Sequence, residues 1–252
     1  MTIKLKLYII FSISFFLLLN GLKSQERVTT FGLQIKPIIP SSLFNTGEQL
    51  LDQNNVFFSV KPKLGYSFGM VIRKGLTKAL SLETGINYLK RGYTLTIDDQ
   101  DLNFTDQSSF SLVNYEIPIS LLVYVKLGRN MFMNVSGGVS MDIYPSDLFT
   151  YSENFQNDVI VRNWIQTSLI ANVDWEYRTE KSGYFYLGGS YHRPFSAIAK
   201  EIVWYNGNGR DERPIFDLIG NYVTIDFRYF FHEDPEKKKR KTKNSIKTGK
   251  TK

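Results

Sequence analysis

Apolar and polar side chains alternate with a period of two along most of the chain. In the last regular stretch, residues 221–231, Ile225 and Phe227 alternate with the charged Asp226 and Arg228. This period is typical of a strand with one apolar and one polar face. The same pattern predicts eight strands, at residues 30–36, 58–73, 79–97, 110–127, 131–144, 159–177, 184–193 and 221–231.

The segments between these strands alternate between long and short. The predicted long loops lie at residues 40–55, 98–109, 145–158 and 194–217, and short turns separate the other strands. Long external loops and short periplasmic turns are typical of outer-membrane barrels. We therefore expect an all-β fold, an antiparallel up-and-down transmembrane β-barrel of about eight strands. A soluble exported β-barrel or sandwich that binds a ligand is the alternative.

The third predicted strand changes phase. Leu82 and Ile86 occupy even positions, whereas Tyr93, Leu95 and Ile97 occupy odd ones. An extra residue in one strand would produce such a change, so the sequence predicts a β-bulge at residues 89–92.

The N-terminus has the order of a cleaved secretory signal. Lys4 and Lys6 precede an apolar run that is too short to span a bilayer comfortably, and Ser24 ends the segment. We predict a signal peptide at 1–24, a barrel at 25–231 and a disordered tail at 232–252. An uncleaved anchor is the alternative. The chain has no cysteine, which excludes a disulfide framework and thiolate metal sites.

The positive charge lies in the tail. The first 24 residues hold three Lys, and the tail holds nine Lys/Arg and three Asp/Glu. Of the chain's 31 basic and 24 acidic residues, the segment between therefore keeps 19 and 21. No nucleic acid is expected as a partner, because binding would need a basic face on the folded part. A solvated periplasmic tail is the simpler interpretation, and contact with peptidoglycan or an anionic lipid is the alternative.

Charged residues of both signs occupy predicted inward positions. We predict a lumen charge network of Lys61, Lys63, Glu83, Glu116, Lys126, Arg162, Asp174, Glu176, Asp226 and Arg228. A selective pore or ligand site would use such charges. However, eight strands leave an interior just wide enough for side chains, and buried charges need partners. We therefore expect paired charges to fill the lumen.

No catalytic, cofactor or metal constellation is present in the sequence. His192 is the only histidine of the predicted barrel, which excludes a His cluster for a metal. The one Gly-x-Ser-x-Gly match, at residues 65–69, lies within a predicted strand and not at the strand-to-helix turn that a nucleophile elbow requires, so we predict that the protein is not an enzyme. A lipid-modifying barrel enzyme is a further alternative; it would need a Ser or His site at the membrane rim, for which His192 is the best candidate. Trp204 and Tyr205, in the last long loop, are the candidates for external recognition, for example by stacking on a carbohydrate.

Two segments resemble a known family. Gly85-Ile-Asn-Tyr-Leu-Lys-Arg-Gly-Tyr93, followed by Tyr115-Glu-Ile-Pro-Ile-Ser-Leu121, resembles the PorT-like outer-membrane β-barrel proteins of Bacteroidota. The resemblance implies a small porin-like barrel and offers a role in type IX secretion as one function. The basic tail is not part of this resemblance.

These observations predict a small barrel in the outer membrane of a Gram-negative bacterium. Its partners would be outer-membrane lipid and molecules bound by the external loops, in a structural or binding role. An accessory subunit of a secretion or envelope complex is the alternative within the same class.

Overall fold

The computed structural model describes residues 29–40, 47–77, 79–179, 182–206, 209 and 211–231. The predicted signal peptide and the predicted tail after Phe231 lie outside the described residues, so their assignment stays a prediction. The described residues form the following strands: β1 Thr29–Ile39, β2 Gln49–Gln53, β3 Val56–Gly75, β4 Leu80–Asp99, β5 Phe104–Lys126, β6 Met131–Ile143, β7 Leu148–Tyr151, β8 Phe155–Val161, β9 Ile165–Arg178, β10 Tyr184–Pro194, β11 Ala199–Tyr205, β12 Ile215–Leu218 and β13 Tyr222–Phe230.

Eight of these strands close into an antiparallel barrel. Their order is β1-β13-β10-β9-β6-β5-β4-β3, and β1 pairs with β3 to complete the ring. Closure removes both free edges, which a bilayer requires because it offers no water to unpaired backbone groups. The predicted eight-stranded barrel is confirmed.

The two ends of the barrel differ. At one end β3 and β4, β5 and β6, and β9 and β10 are joined by short turns, and β1 begins and β13 ends there. Gly183 has a φ of 97° in the last of these turns, a conformation that favours glycine. At the other end the connections contain β2, β7, β8, β11 and β12. These two ends correspond to the short periplasmic turns and the long external loops of outer-membrane barrels.

The outward side chains of the long strands are apolar. Leu64 is 72% exposed, Met70 58% and Ile35 55%. A continuous apolar band of this kind would promote aggregation in water, whereas lipid is its natural surrounding. The band therefore does not fit the soluble alternative. Among the described residues, no helix is long and apolar enough to cross a membrane.

The change of phase in β4 is not a bulge. Odd residues of β4 point inward from Glu83 to Ile97, and its pairing with β5 keeps one register throughout. What changes is the environment: the inward Glu83, Asn87 and Arg91 are polar, with only Leu89 among them apolar, whereas the inward Tyr93, Leu95 and Ile97 are apolar. The predicted bulge at 89–92 is therefore wrong, because the strand passes from a polar interior into an apolar one.

The bulge lies on the neighbouring strand instead. The register between β3 and β4 shifts between Lys63 and Tyr66. From Tyr66 to Lys74 the even residues of β3 face outward. From Val56 to Pro62 they face inward, so Phe58 and Val60 are buried. The uninterrupted apolar phase of the sequence concealed the shift.

The external connections fold into a cap over the barrel. In the described residues β12, β11, β8 and β7 form a second sheet in that order, and β2 to β5 extend above the barrel. Buried side chains between them form one apolar cluster that includes Phe58, Leu95, Val203 and Tyr205. We call the second sheet and these extensions the cap. The predicted long loops are corrected by it: residues 98–109 continue a hairpin, and 40–55, 145–158 and 194–217 contain strands. The predicted strand 159–177 is divided into β8 and β9.

Candidate functional site

The part of the lumen nearest the short turns holds a dense charge network. Arg73 donates to Glu83 from Nε at 3.0 Å and from Nη2 at 2.6 Å, and Arg228 Nη1 lies 2.7 Å from the other oxygen of Glu83. Both guanidinium groups are buried. Glu83 thus joins two arginines from β3 and β13 across the interior of the barrel.

The network continues through carboxylates on β9 and β13 and a lysine on β1. Arg228 Nη2 lies 2.6 Å from Asp226 and 3.6 Å from Asp174, and Lys36 Nζ lies 3.2 Å from Asp226. Glu176 lies 3.7 Å from Arg73 and also binds Arg178. The lower network is therefore four cations and four carboxylates: Lys36, Arg73, Arg178, Arg228, Glu83, Asp174, Glu176 and Asp226. This balance matters because an unpaired charge in a low-dielectric interior is costly.

Apolar and aromatic side chains pack against the same charges. The Arg73 guanidinium lies 4.1 Å from the ring centre of Phe230 and 4.5 Å from that of Tyr186. Gly188 leaves space for the Asp174 carboxylate, since a Cβ there would lie 2.2 Å from its Oδ1. The cross-section at this level is thus occupied by side chains that contact one another.

A second polar layer, the upper network, lies above the first. His192 Nδ1 is 2.8 Å from Glu116, which also accepts hydrogen bonds from Asn87 at 2.8 Å and Tyr222 at 3.2 Å. The His192 ring stacks on Tyr222 with 4.3 Å between ring centres. These contacts hold a carboxylate from β5 against β4, β10 and β13.

Arg91 closes this layer towards the cap. It donates to Tyr144 at 2.6 Å, to Asn114 at 3.3 Å and to the carbonyl of Gly220 at 2.9 Å. Asn114 in turn donates to Asp142 at 3.1 Å. Directly above, the inward position of β4 is Tyr93, which belongs to the apolar cluster of the cap.

The structure brings six of the ten predicted network residues together. Glu83, Glu116, Asp174, Glu176, Asp226 and Arg228 are buried in the lumen. Lys61, Lys63, Lys126 and Arg162 lie elsewhere and are exposed.

Each of these four corrections has a local cause. The register shift of β3 turns Lys61 and Lys63 outward. Lys126 is the last residue of β5, at the end of the barrel that carries the short turns. Arg162 lies between β8 and β9, in the cap, where it pairs with Asp217 at 2.8 Å.

Several lumen residues were not among the predicted set. Lys36 shares the polar face of β1 with Gln34, opposite Ile35, so the period of two could have predicted that it points inward. Arg91 and Asn87 were obscured by the apparent change of phase in β4. Asp142 shares its face with Asn134 and Ser140, so the period of two could have identified it.

The two predicted recognition residues point in opposite directions. Tyr205 is fully buried in the cap, against Phe58 with 6.3 Å between ring centres, and its hydroxyl lies 3.3 Å from Asp99. This placement corrects the prediction that Tyr205 is exposed for recognition. Trp204 points to the outside, and the Arg213 guanidinium lies 4.4 Å from its ring centre.

His192 does not face lipid. It is 2% exposed and is enclosed by Glu116 and Tyr222 inside the barrel. A lipid-modifying site at the membrane rim would need an outward group, so its best candidate residue lacks access to lipid. Among the described residues no group of three or more His, Cys, Asp or Glu side chains is placed to hold a metal ion.

One carboxyl of the cap has an unusual environment. Glu201 on β11 is fully buried, and its inward neighbours along the strand are Ala199 and Val203. Burial raises the pKa of Glu201 to about 8, and the neighbouring Asn157 amide opposes only part of that shift. Glu201 is therefore largely protonated in the folded cap at neutral pH.

The closed eight-stranded ring, its apolar outer band and its charged interior define a transmembrane β-barrel. The family described as "Outer membrane protein beta-barrel domain" matches residues 30–200. The chain belongs to this family, and its place is the outer membrane.

The solved structure of one outer membrane protein agrees with this fold. The chain is similar to the outer membrane protein OprG of Pseudomonas aeruginosa, with a TM-score of 0.51 and 12% identity over 82% of this chain and 98% of OprG. It is also similar to the outer membrane protease OmpT of Escherichia coli, with a TM-score of 0.35 and 9% identity over 82% of this chain and 97% of OmpT. No curated protein matches the chain.

Proposed function

We propose that this protein is a non-conducting barrel that anchors an extracellular binding surface in the outer membrane. One observation carries the proposal: two layers of paired polar side chains cross the lumen, and the apolar cluster of the cap lies above them. Solute passage would have to break buried charge pairs and also open a packed apolar core. Both steps are costly, so the barrel serves as a support.

The binding surface is the outer face of the cap's second sheet. Its apolar members, which we call the outer face, are Phe149, Tyr151, Ile160, Ile202, Trp204 and Ile215. Phe149 is 55% exposed, Tyr151 70% and Ile215 55%. The register places Ile202 opposite Ile215, with Asp158 between Ile202 and Phe149 in the same row. An exposed apolar patch on one sheet is typical of an interaction site.

A protein is the partner that this surface fits best. The surface mixes aliphatic and aromatic side chains, among them Ile202, Ile215 and Phe149. A carbohydrate site would instead rely on flat, open aromatic faces, and the ring of Trp204 is covered by Arg213. In the described residues β7 and β12 each pair with one neighbour in their sheet, so an incoming strand could extend either edge. A protein of a secretion or envelope complex would satisfy these requirements, in line with the PorT-like resemblance.

Conductance in planar bilayers tests the closed lumen. We expect the purified full-length protein to show no steady open current. The Leu95→Asp variant, which disrupts the cap, should also stay closed, because the charge layers below it remain. A steady ohmic current from the unmodified protein would contradict the proposal.

Photo-crosslinking on intact cells tests the outer face. A photoreactive residue in place of Phe149 or Ile215 should give a discrete protein adduct, whereas the same residue in place of Leu102, which is exposed in the β4–β5 turn, should not. Equal labelling at all three positions, or none at the outer face, would argue against a specific partner there.

A further inference from the structure

Three lysines project from the outside of the barrel around the register shift of β3, where Lys61 lies opposite Thr94 and Lys63 opposite Gly92. Lys61 and Lys63 on β3 are exposed, and Lys90 on β4 is partly exposed. The register shift of β3 turns Lys61 and Lys63 outward. Beyond the shift, Lys90 lies opposite Tyr66. We call these three residues the lysine cluster. They lie on adjacent strands that pair with each other.

The cluster marks the upper limit of the apolar band. Below Lys90 the outward positions of β4 are Tyr88, Ile86, Thr84 and Leu82, and the hydroxyl of Thr84 is satisfied by the carbonyl of Pro118; above Lys90 they include Thr94 and Thr96. The outward surface thus changes from apolar to polar at the lysines. In an outer-membrane barrel this level meets the lipid headgroups of the outer leaflet.

An aromatic surface lies directly below the cluster. Tyr66 and Phe68 on β3 stack with 6.3 Å between ring centres, Phe68 lies 5.1 Å from Tyr88 on β4, and Tyr88 lies 5.9 Å from Tyr115 on β5. Tyr66 is 44% and Phe68 50% exposed. Three strands therefore present one continuous set of rings where the acyl chains of a lipid would lie.

The charges of the cluster have no counter-ion among the described residues. None of the ion pairs there involves Lys61, Lys63 or Lys90. Lys63 Nζ lies 3.3 Å from the Ser109 hydroxyl, which is itself 3.4 Å from that of Thr94. The nearby Glu48 accepts a hydrogen bond from Ser59. Like charges on adjacent strands repel one another, so a bound anion would stabilise this arrangement.

We propose that the lysine cluster binds the phosphate of an outer-leaflet lipid, whose acyl chains pack on Tyr66, Phe68, Tyr88 and Tyr115. The phosphate accepts charge-assisted hydrogen bonds from the three ammonium groups, and Ser109 and Thr94 supply hydroxyl donors beside them. The aromatic surface continues the lipid-facing band, which favours a lipid over a free anion. This site is independent of the outer face of the cap and of any protein bound there.

Native mass spectrometry of the detergent-solubilised full chain tests the site, with diphosphoryl lipid A as the probe. We expect the triple variant Lys61→Gln, Lys63→Gln, Lys90→Gln to bind at least about tenfold more weakly than the unmodified protein. The matched control is Lys74→Gln, Lys126→Gln, Lys200→Gln, which removes the same charge from other exposed positions and should change the affinity less than about twofold. Heat-modifiable migration on a gel confirms that each variant is folded.

Two further probes separate a lipid site from a general anion site. Lipid A without its phosphates should bind weakly to every form of the protein, and inorganic phosphate should not compete at equimolar concentration. Equal weakening by the two triple variants would overturn the proposal, as would competition by inorganic phosphate. Unchanged affinity of the lysine-cluster variant would overturn it as well.

Discussion

The membrane-spanning part of the barrel and the cap have opposite insides. In the barrel, Glu83 and Asn87 of β4 point to a polar interior, while Leu82 and Ile86 face outward. In the cap, Leu95 and Ile97 of the same strand point to an apolar interior, while Thr94 and Thr96 face outward. The side of the strand that faces inward never changes. The surrounding solvent, lipid below and water above, decides which side is apolar.

Two buried glutamates show what this difference means for a charge. Glu83 contacts two arginines in the lumen, whereas Glu201 in the cap has only the Asn157 amide beside it and no ion pair among the described residues. The first is stabilised by its partners as an anion. The second is accommodated because it can take up a proton. The same residue type therefore has opposite effects on stability in the two regions.

The largest effect is expected from removing the shared carboxylate of the lower network. Glu83→Gln leaves Arg73 and Arg228 without their common partner, and breaking a buried pair in this way costs about 3–5 kcal/mol. Urea unfolding of the barrel in detergent micelles, followed by heat-modifiable migration, measures the loss. Glu48→Gln is the control, because Glu48 is exposed and should change the stability little. Wild-type stability of Glu83→Gln would show that the lower network does not support the barrel.

A substitution in the cap core should separate the two regions. Leu95→Ala removes a fully buried side chain and should destabilise the cap by about 2–5 kcal/mol, while the barrel below keeps its heat-modifiable migration. Limited proteolysis of folded protein measures opening of the cap. Thr96→Ala, on the outward side of the same strand, is the control. If Leu95→Ala also unfolded the barrel, the cap and barrel would have to be one cooperative unit.

A smaller, pH-dependent effect is expected at Glu201. Its folded pKa of about 8 lies above the ordinary value of 4.5, so the folded state holds a proton that the unfolded state loses between these values. Cap stability should therefore fall as the pH rises from about 4.5 to about 8, by up to a few kcal/mol.

Glu201→Gln should remove this dependence and stabilise the cap at pH 8 and above. Hydrogen exchange of the β11 amides at pH values from 5 to 9, corrected for the intrinsic exchange rate, measures the effect. Glu212→Gln, at a partly exposed position beyond β11, is the control. An unchanged pH dependence in Glu201→Gln would mean that another group titrates in the cap.

The sequence predicted the barrel because lipid imposes a strict rule on outward positions. Ile225 and Phe227 had to be apolar, and the alternation then placed Asp226 and Arg228 inside. The strands of the cap could not be predicted from alternation in the same way. Its strands are short, and β7 and β12 have only four residues each.

The charge network was predicted only in part for a related reason. A period of two assigns a side chain to a face but does not reveal a register shift or a change of environment. Lys61 and Lys63 were placed inside because Leu64 and Tyr66 continue the apolar phase of Phe58 and Val60. The shift between Lys63 and Tyr66 depends on pairing with β4, which no local pattern shows.

Spin labelling along β4 tests the change of environment most directly. The chain has no cysteine, so single cysteines can be introduced at Leu82, Ile86, Thr94 and Thr96 and labelled with a nitroxide in reconstituted bilayers. We predict that labels at 82 and 86 are accessible to oxygen dissolved in lipid, and that labels at 94 and 96 are accessible to a water-soluble nickel complex. The change between the two should fall at the level of Lys90. Lipid accessibility at 94 and 96, or water accessibility at 82 and 86, would contradict the account.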